Sequence, residues 1–225
     1  MVVLVASCAA YADAWVPFMA LWRRHYTSCP YKALIVTDHG EETDGTFVVG
    51  EDRGWCANLR AALASVRDEN VLLLQEDFFL TADVDAAAIA SADAYVTSHA
   101  DVGCLRLYPC PGPLQESVVD YIEGHSIGEV HRGEPYRISC QVAVWRKAYL
   151  DRVLSVGTSA ASFELSGTER SADWPERVLS VHRSDPAWPI MYLCSAISRG
   201  KWSRDALRLC AEHGIRIRGN REVEP

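Results

Sequence analysis

The sequence predicts an α/β domain built on a doubly wound, mostly parallel sheet flanked by helices. Three observations carry that expectation. The run Val71-Leu72-Leu73-Leu74 is apolar at four consecutive positions and needs burial on both faces, as in a central strand of a parallel sheet. Strand-like and helix-like segments alternate through the first 80 residues, the pattern of βαβ units. The chain has 225 residues, of which 49% are hydrophobic and 23% charged, a balance that suits one globular domain with a sizeable core.

Val2–Ala6 is the expected first strand. Ala12 to Tyr26 reads as a helix, with Trp15, Phe18, Met19 and Trp22 at helical spacing and Pro17 where a first turn tolerates it. Tyr31–Thr37 and Thr46–Val49 are the next strands. Cys56–Val66, rich in Ala and Leu and preceded by Gly54, is a helix, and Val71–Gln75 is the fourth strand. Val84–Ala92 is predicted helical, with Tyr95–Thr97 and Cys104–Leu107 as strands. Pro109 to Pro135 is dense in Pro and Gly, which predicts loops and short antiparallel strands. Ile138–Trp145 reads as a strand and Arg146–Leu154 as a helix. Ser155 to Pro189 is polar and is expected to be irregular. Ala206–His213 is a final helix closed by Gly214. No repeat or linker is visible, so residues 1–225 are read as a single domain with a helix-poor second half.

Bulk properties exclude several functions. The net charge is −8 and the isoelectric point about 5.4. Non-specific nucleic-acid binding draws its affinity from Lys and Arg on phosphates, so nucleic acid is not an expected partner. Eight cysteines contain no C-x-x-C pair, and several lie in apolar runs where Cys behaves as a small core residue. They read as free thiols of a reducing cytoplasm. The apolar start, Met1 to Ala10, has no positive flank and is too short for a signal peptide. No run of about 18 apolar residues predicts a membrane span. G-x-S-x-G, G-x-G-x-x-G and G-x-x-x-x-G-K-[ST] are absent, which speaks against a serine hydrolase elbow, a dinucleotide fold and a P-loop.

The chemistry is expected at the carboxyl end of the fourth strand, the edge where open α/β sheets bind ligands. Glu76 and Asp77 stand there, between Leu74-Gln75 and Phe78-Phe79. Solvated turn acids are the plain alternative, which the apolar flanks disfavour. Two adjacent carboxylates suit a hard divalent cation, Mn²⁺ or Mg²⁺, that bridges protein oxygens to a substrate diphosphate. Asp77, with its short side chain, is the closer ligand, and Glu76 is the second or acts through water.

Val2–Ser7 followed by Tyr11, Leu34-Ile35-Val36-Thr37-Asp38, Gly54-Trp55-Cys56-Ala57-Asn58-Leu59 and Gln75-Glu76-Asp77-Phe78 together resemble a nucleotide-diphospho-sugar glycosyltransferase of the GT-A type, close to family 2. The resemblance covers residues up to about 80 well and the remainder weakly. Glu-Asp followed by an aromatic residue replaces the family's usual Asp-x-Asp, which leaves open which carboxylate meets metal. The resemblance implies that residues 1–100 bind the nucleotide sugar and 101–225 the acceptor. It implies that Ser7 and Tyr11 meet ribose and base, with Tyr11 stacking. It also implies that Asp38 accepts from a pyrimidine N–H and that Asn58 faces the ribose or diphosphate. A core role for Tyr11 and a capping role for Asp38 are the competing readings.

In the second half, alternation places Arg137, Ser139 and Gln141 on one face of the expected strand; in relatives a similar strand lines the acceptor side. An aromatic-Glu pair follows in the family, here Phe163-Glu164, which makes Glu164 the candidate general base. Glu169 and Asp173 are competing carboxylates. In Ser198-Arg199-Gly200-Lys201-Trp202, Gly200 allows close backbone approach and Lys201 offers a charge for the leaving diphosphate; a surface lysine beside a buried Trp is the alternative. The expected activity is metal-assisted, inverting transfer from a UDP- or dTDP-type sugar donor to a hydroxyl of a glycan or glycosylated metabolite. A sugar-nucleotide nucleotidyltransferase and a non-catalytic nucleotide- or sugar-binding module are the rivals. The expected location is the cytoplasm, with peripheral membrane attachment left open by lipid-linked acceptors.

Overall fold

The computed structural model describes residues 1–114 and 117–225; positions 115 and 116 of the Gly/Pro-rich segment lie outside the described residues. The chain begins with β1 (Val2–Ala6), a 3-10 turn (Ala9–Ala14), α1 (Trp15–His25), β2 (Ala33–Thr37), β3 (Thr46–Val48), α2 (Trp55–Ser65) and β4 (Asn70–Gln75). It continues with β5 (Phe79–Leu80), α3 (Ala86–Ser98), β6 (Val102–Arg106), β7 (Asp120–Ile122), β8 (His125–Glu129), β9 (Ala143–Arg146), α4 (Lys147–Leu154), α5 (Ala160–Ser171) and β10 (Arg177–Val181). It closes with β11 (Tyr192–Leu193), β12 (Ile197–Ser198), β13 (Lys201–Trp202) and α6 (Arg204–Glu212).

Among the described residues nine strands form one sheet in the order β3-β2-β1-β4-β9-β6-β10-β8-β7. β3, β2, β1 and β4 are parallel neighbours. β9 runs antiparallel between β4 and β6, so β6 and its parallel partner β10 keep the direction of β1. β8 is the second reversed strand, and β7 pairs with it at the edge. The sheet is thus mostly parallel, with β9 and β8 as its two reversals.

Side-chain alternation along β1 and β4 divides the core in two. Val3, Val5, Leu72 and Leu74 pack with Phe18 and Leu21 of α1, Ile89 and Val96 of α3, and Ala206 of α6. Val2, Leu4, Val71 and Leu73 face the other way, against Leu59 and Leu63 of α2, Leu150 and Val153 of α4, and Phe163 of α5. The result, among the described residues, is a three-layer sandwich with three helices on each face. The four apolar residues Val71–Leu74 are each at most 2% exposed. Burial of each such side chain stabilises the fold by roughly 1.5–3 kcal/mol, which explains why this run is continuous rather than alternating.

The structure corrects the sequence reading in three places. α3 continues through Tyr95–Thr97, where the β-branched and aromatic residues predict a strand; Ile89, Ala92 and Val96 extend one buried stripe at helical spacing. The strand predicted over Ile138–Trp145 is confined to β9. The backbone N–H of Ile138 donates to Thr168 Oγ1 at 3.0 Å and that of Cys140 to Glu164 Oε1 at 2.8 Å. Side chains of α5 therefore take the donors that a sheet neighbour would need. Residues 155–189, read as irregular, contain α5 and β10, and the second half holds α4, α5 and α6 rather than being helix-poor. The buried residues of α5 are Phe163, Gly167 and Ser171, four apart. A Cβ at Gly167 would stand 3.0 Å from Ile138 Cγ2 and Val153 Cγ1, so the packing itself selects a residue without a side chain.

Candidate functional site

The chain leaves β1 for α1 on one face and reaches β4 through α2 on the other. The strand order reverses between β1 and β4, and the crevice beyond their carboxyl ends is where such sheets bind ligands. A cleft of about 390 Å³ occupies that position. The end of β1 and the following turn supply Ser7, Cys8 and Tyr11; the entry to α2 supplies Asp52, Gly54, Trp55 and Asn58. Gln75, Glu76 and Asp77 come from the end of β4, and Ala160, Ser195 and Ile197 close the remaining side. A larger pocket of about 630 Å³ lies at the opposite end of the sheet. Several of its charged groups are already engaged: Asp68 holds the N-terminal amine at 3.0 Å, Arg60 holds Asp151 at 2.9 Å, and Lys147 donates to the Val66 carbonyl. The cleft beside β4 is therefore the candidate site.

Glu76 and Asp77 are only 7% and 9% exposed. Burial, and then the neighbouring Asp77, push the Glu76 carboxyl up to about 8, against the opposing pull of Arg221 and Ser7. Burial also raises Asp77, opposed by Ser195 and the Ile197 backbone. The Ser195 hydroxyl donates to Asp77 Oδ2 at 2.9 Å, and the Ala196 N–H donates to the Asp77 carbonyl at 2.9 Å. Two buried acids side by side leave a deficit of positive charge. Among the described residues no group of three or more His, Cys, Asp and Glu forms a metal centre. The pair fits a hard divalent cation that completes its shell with water and diphosphate oxygens, as Mg²⁺ commonly does.

Ser7 Oγ accepts from Trp15 Nε1 at 2.7 Å, which fixes the hydroxyl at the mouth of β1. Tyr11 is half-buried and sits in a non-helical kink of its turn, at φ −112° and ψ 15°. Asp38 follows β2 and does not line the cleft. Its carboxylate accepts from the Ala9 N–H at 2.7 Å and contacts His39 Nδ1 at 2.8 Å. These bonds, the Ala9 one foremost, hold Asp38 down to about 2. It anchors the turn that carries Tyr11. Asn58 lines the cleft but is 4% exposed: its Oδ1 accepts from the Arg53 N–H at 3.1 Å and its Nδ2 donates to Asp52 Oδ1 at 2.9 Å. Asn58 thereby holds the loop that enters α2. Gly54 in that loop has φ +91°, and a Cβ there would stand 2.9 Å from the Thr158 carbonyl oxygen, so only glycine fits.

The second-half residues separate. Glu164 lies one turn along α5 from the cleft-lining Ala160, about 6 Å of helix rise, and is partly exposed. Glu169 is exposed about 13 Å further along the helix than Ala160, and Asp173 lies beyond the helix end. Arg137, Ser139 and Gln141 do not share a strand face. Arg137 is fully buried and donates to Ser171 Oγ at 2.9 Å and the Glu176 carbonyl at 3.1 Å, so it braces α5 rather than facing an acceptor. Ser139, 3% exposed, accepts from the Gln141 N–H at 3.2 Å, and the Gln141 side chain bonds the Tyr192 hydroxyl. Lys201 is not in the cleft: it lines an adjacent pocket with Arg199 and Arg221 and pairs with Glu222 at 2.7 Å. The cation beside the cleft that sequence reasoning misses is Arg221. A lone Arg in a polar tail gives no periodic or motif signal. Asp52 and Ser195 are also missed, since both are loop residues whose roles arise from tertiary contact.

No protein-family model matches the chain, and no curated protein matches it. Among solved structures it is similar to residues 1–349 of S. aureus TarS in complex with UDP-GlcNAc, with a TM-score of 0.52 and 15% identity over 84% of this chain and 57% of that one. The same TarS fragment in complex with UDP gives 0.52 at 14% identity, over 84% and 59%. The 2-C-methyl-D-erythritol 4-phosphate cytidylyltransferase from Thermus thermophilus gives 0.50 at 12% identity, over 96% of this chain and 99% of that one. The chain spans 36% of the longer TarS structure. At these identities the likeness is one of fold: a GT-A-like sheet that TarS and the cytidylyltransferase share.

Proposed function

We propose that this protein is a glycosyltransferase that binds a nucleoside-diphosphate sugar in the cleft between β1 and β4. The observation that carries the reading is the pair of buried carboxylates, Glu76 and Asp77, at the topological switch point of the sheet. A divalent cation there would favour the ionised form of both acids and reconcile them with a diphosphate. Mn²⁺ or Mg²⁺ held by Asp77 and Glu76 would supply charge neutralisation of the leaving diphosphate. The N-terminus of α2, which opens on the cleft at Gly54 and Trp55, adds positive potential on the same side. UDP-GlcNAc, the ligand of the TarS complex, is the donor with which to begin.

Ser7 and Tyr11 border the nucleoside end of the cleft, and Asn58 with Asp52 shapes its wall. Glu164 stands on the α5 side, with one carboxylate oxygen held by the Cys140 N–H. As general base it takes the proton of an acceptor hydroxyl while that oxygen attacks the anomeric carbon. The bond from carbon to the diphosphate oxygen breaks, and its electron pair leaves with the diphosphate. One in-line displacement inverts the anomeric centre. Arg137 and Lys201 have no part in this scheme.

The test is a thermal-shift panel of UDP, dTDP, GDP and CDP with and without Mn²⁺, on the wild type and on Asp77→Asn. Binding to the folded state raises its apparent stability by mass action. A metal-dependent shift with one diphosphate, absent in Asp77→Asn, supports the reading and names the base. No shift at millimolar concentration sinks it.

The near-complete mutual coverage with the cytidylyltransferase favours one alternative, nucleotidyl transfer from a nucleoside triphosphate. The loop after β1, Ser7 to Ala14, carries neither Gly nor Lys nor Arg to cradle a triphosphate, which ranks this reading second. CTP and UTP in the same panel separate the two: preference for a triphosphate over its diphosphate favours nucleotidyl transfer.

A further inference from the structure

We propose that the C-terminal tail buttresses the donor cleft from the adjacent pocket, with Arg221 a positioning residue that fixes Tyr11 so that a nucleobase meets only one face of its ring. The inference rests on the donor-site reading above. After α6 the chain turns at Gly214, where φ is +67°, and returns along β13. The Trp202 N–H donates to the Glu222 carbonyl at 2.8 Å, and the Glu224 N–H donates to the Trp202 carbonyl at 2.9 Å. This pairing delivers Arg221 to the turn that carries Tyr11.

The guanidinium forks onto Asp13, Nε to Oδ2 at 2.8 Å and Nη2 to Oδ1 at 2.8 Å. It donates further to the Ala10 carbonyl at 2.6 Å and the Gly200 carbonyl at 3.1 Å. Of its five N–H donors, four are engaged by the protein. A guanidinium so occupied is an anchor rather than a phosphate ligand. Its carbon lies 4.7 Å from the centroid of the Tyr11 ring, a cation–π distance, and so covers one side of that ring.

The turn needs such an anchor. Its N-cap residue, Cys8, makes no side-chain cap bond and its geometry breaks at Tyr11, while Asp38 holds only the Ala9 N–H at its start. Among the described residues the tail's other ion pair, Lys201 to Glu222, joins side chains that are 45% and 76% exposed, where ion pairs contribute little. The Arg221–Asp13 pair is 13% and 18% exposed, so of the two ion pairs it is the one that ties the tail to the Tyr11 turn. Lysine cannot replace it, because an ammonium offers neither the fork nor the planar stacking surface.

The experiment compares wild type, Arg221→Gln, Arg221→Lys, Asp13→Asn and, as a surface control, Lys201→Gln. Two readouts are taken: hydrogen exchange of the backbone amides of residues 9–14 without nucleotide, and calorimetric affinity for UDP, uridine and inorganic diphosphate with Mn²⁺. Expected is faster exchange in Arg221→Gln, Arg221→Lys and Asp13→Asn, with UDP and uridine weakened alike by about tenfold, roughly one decade in Kd. Diphosphate affinity stays within about twofold, and Lys201→Gln resembles wild type. Unchanged exchange and affinity overturn the proposal while leaving the donor site intact. A loss shared equally by diphosphate overturns it too, since Arg221 is then a phosphate ligand. A wild type that binds neither UDP nor uridine removes the donor-site reading, and this inference with it. Should Arg221→Gln fail to fold, Asp13→Asn breaks the same fork with a smaller change and decides the matter.

Discussion

Ser195 donates its hydroxyl to Asp77 Oδ2 at 2.9 Å across 118 residues of sequence, joining the acidic end of β4 to the loop before β12. The Ile197 carbonyl lies 3.0 Å from the same hydroxyl and is a second acceptor for its single proton. A hydrogen bond to a buried charged group contributes about 1.5–3 kcal/mol. Ser195→Ala removes that bond and raises the Asp77 carboxyl further. The folded state then holds its proton to higher pH than the unfolded chain does. The added destabilisation is absent while Asp77 is protonated in both folded proteins and grows as pH rises through the raised value it has in the folded wild type. Urea denaturation at pH 4 and pH 8 should show a stability loss of about 1–2 kcal/mol at pH 8 and a smaller one at pH 4. Equal losses at both values would mean that Ser195 acts by packing alone.

Glu76 gives a clear pH signature. Its carboxyl is raised to about 8 by burial and by Asp77, so the folded state binds a proton that the unfolded chain releases near pH 4.5. Stability falls wherever the folded state binds more protons. The wild type should therefore lose stability steadily from about pH 4.5 to 8 on this account and level off beyond. Glu76→Gln keeps the shape without the charge. It should match the wild type at pH 4 and exceed it by a few kcal/mol at pH 8.5, an order-of-magnitude value from about 1.4 kcal/mol per pKa unit. Thermal melts of the metal-free proteins across pH 4–9 check this; parallel curves would show that Glu76 is ionised throughout.

The sequence made the first half legible because burial there is written in apolar residues. Val71–Leu74 and Val2–Ala6 are buried along their whole lengths, and the Glu76-Asp77 pair stands out against them. The second half hides its signals. α5 buries Phe163, Gly167 and Ser171, of which only one is a large apolar residue, so helical periodicity is silent. The clue that remains is the cap: Ser159 accepts from the Ser162 N–H at 3.2 Å in a reciprocal capping box. Ile138–Gln141 has strand-like composition, but α5 claims its backbone donors through Thr168 and Glu164. Arg137 alternates correctly for an acceptor face and is nonetheless a buried brace. Arg221 has no local signal, because its partner Asp13 lies 208 residues away.

Asn58 predicts a coupling between the α2 entry loop and the cleft. It is 4% exposed and bonds both the Arg53 N–H and the Asp52 carboxylate. Asn58→Ala leaves these partners beside a void and should cost about 2–3 kcal/mol. Asn58→Asp sets a second carboxylate against Asp52, a like charge in a half-buried place, and should cost more than Asn58→Ala at pH 7. The order should reverse near pH 3, where protonation of the introduced carboxyl removes the repulsion. Chemical denaturation of both variants at the two pH values tests this; an unchanged ranking would remove the electrostatic part of the argument.

Asp38 is the opposite electrostatic case to Glu76. The Ala9 N–H and His39 hold its carboxyl down to about 2, below the ordinary value of 3.8. Its contribution is fully present above about pH 4 and is lost as pH falls through about 2, because only the unfolded chain binds the proton in that window. Asp38→Asn retains one oxygen acceptor but no charge. It should cost about 1–2 kcal/mol at pH 6, the range for a charge-assisted bond, and the gap from wild type should narrow between pH 4 and pH 2.5. The bond anchors the turn that carries Tyr11, so Asp38→Asn should also speed hydrogen exchange in residues 9–14. A variant that loses the stability but leaves those amides protected would show that Asp38 supports β2 rather than the turn.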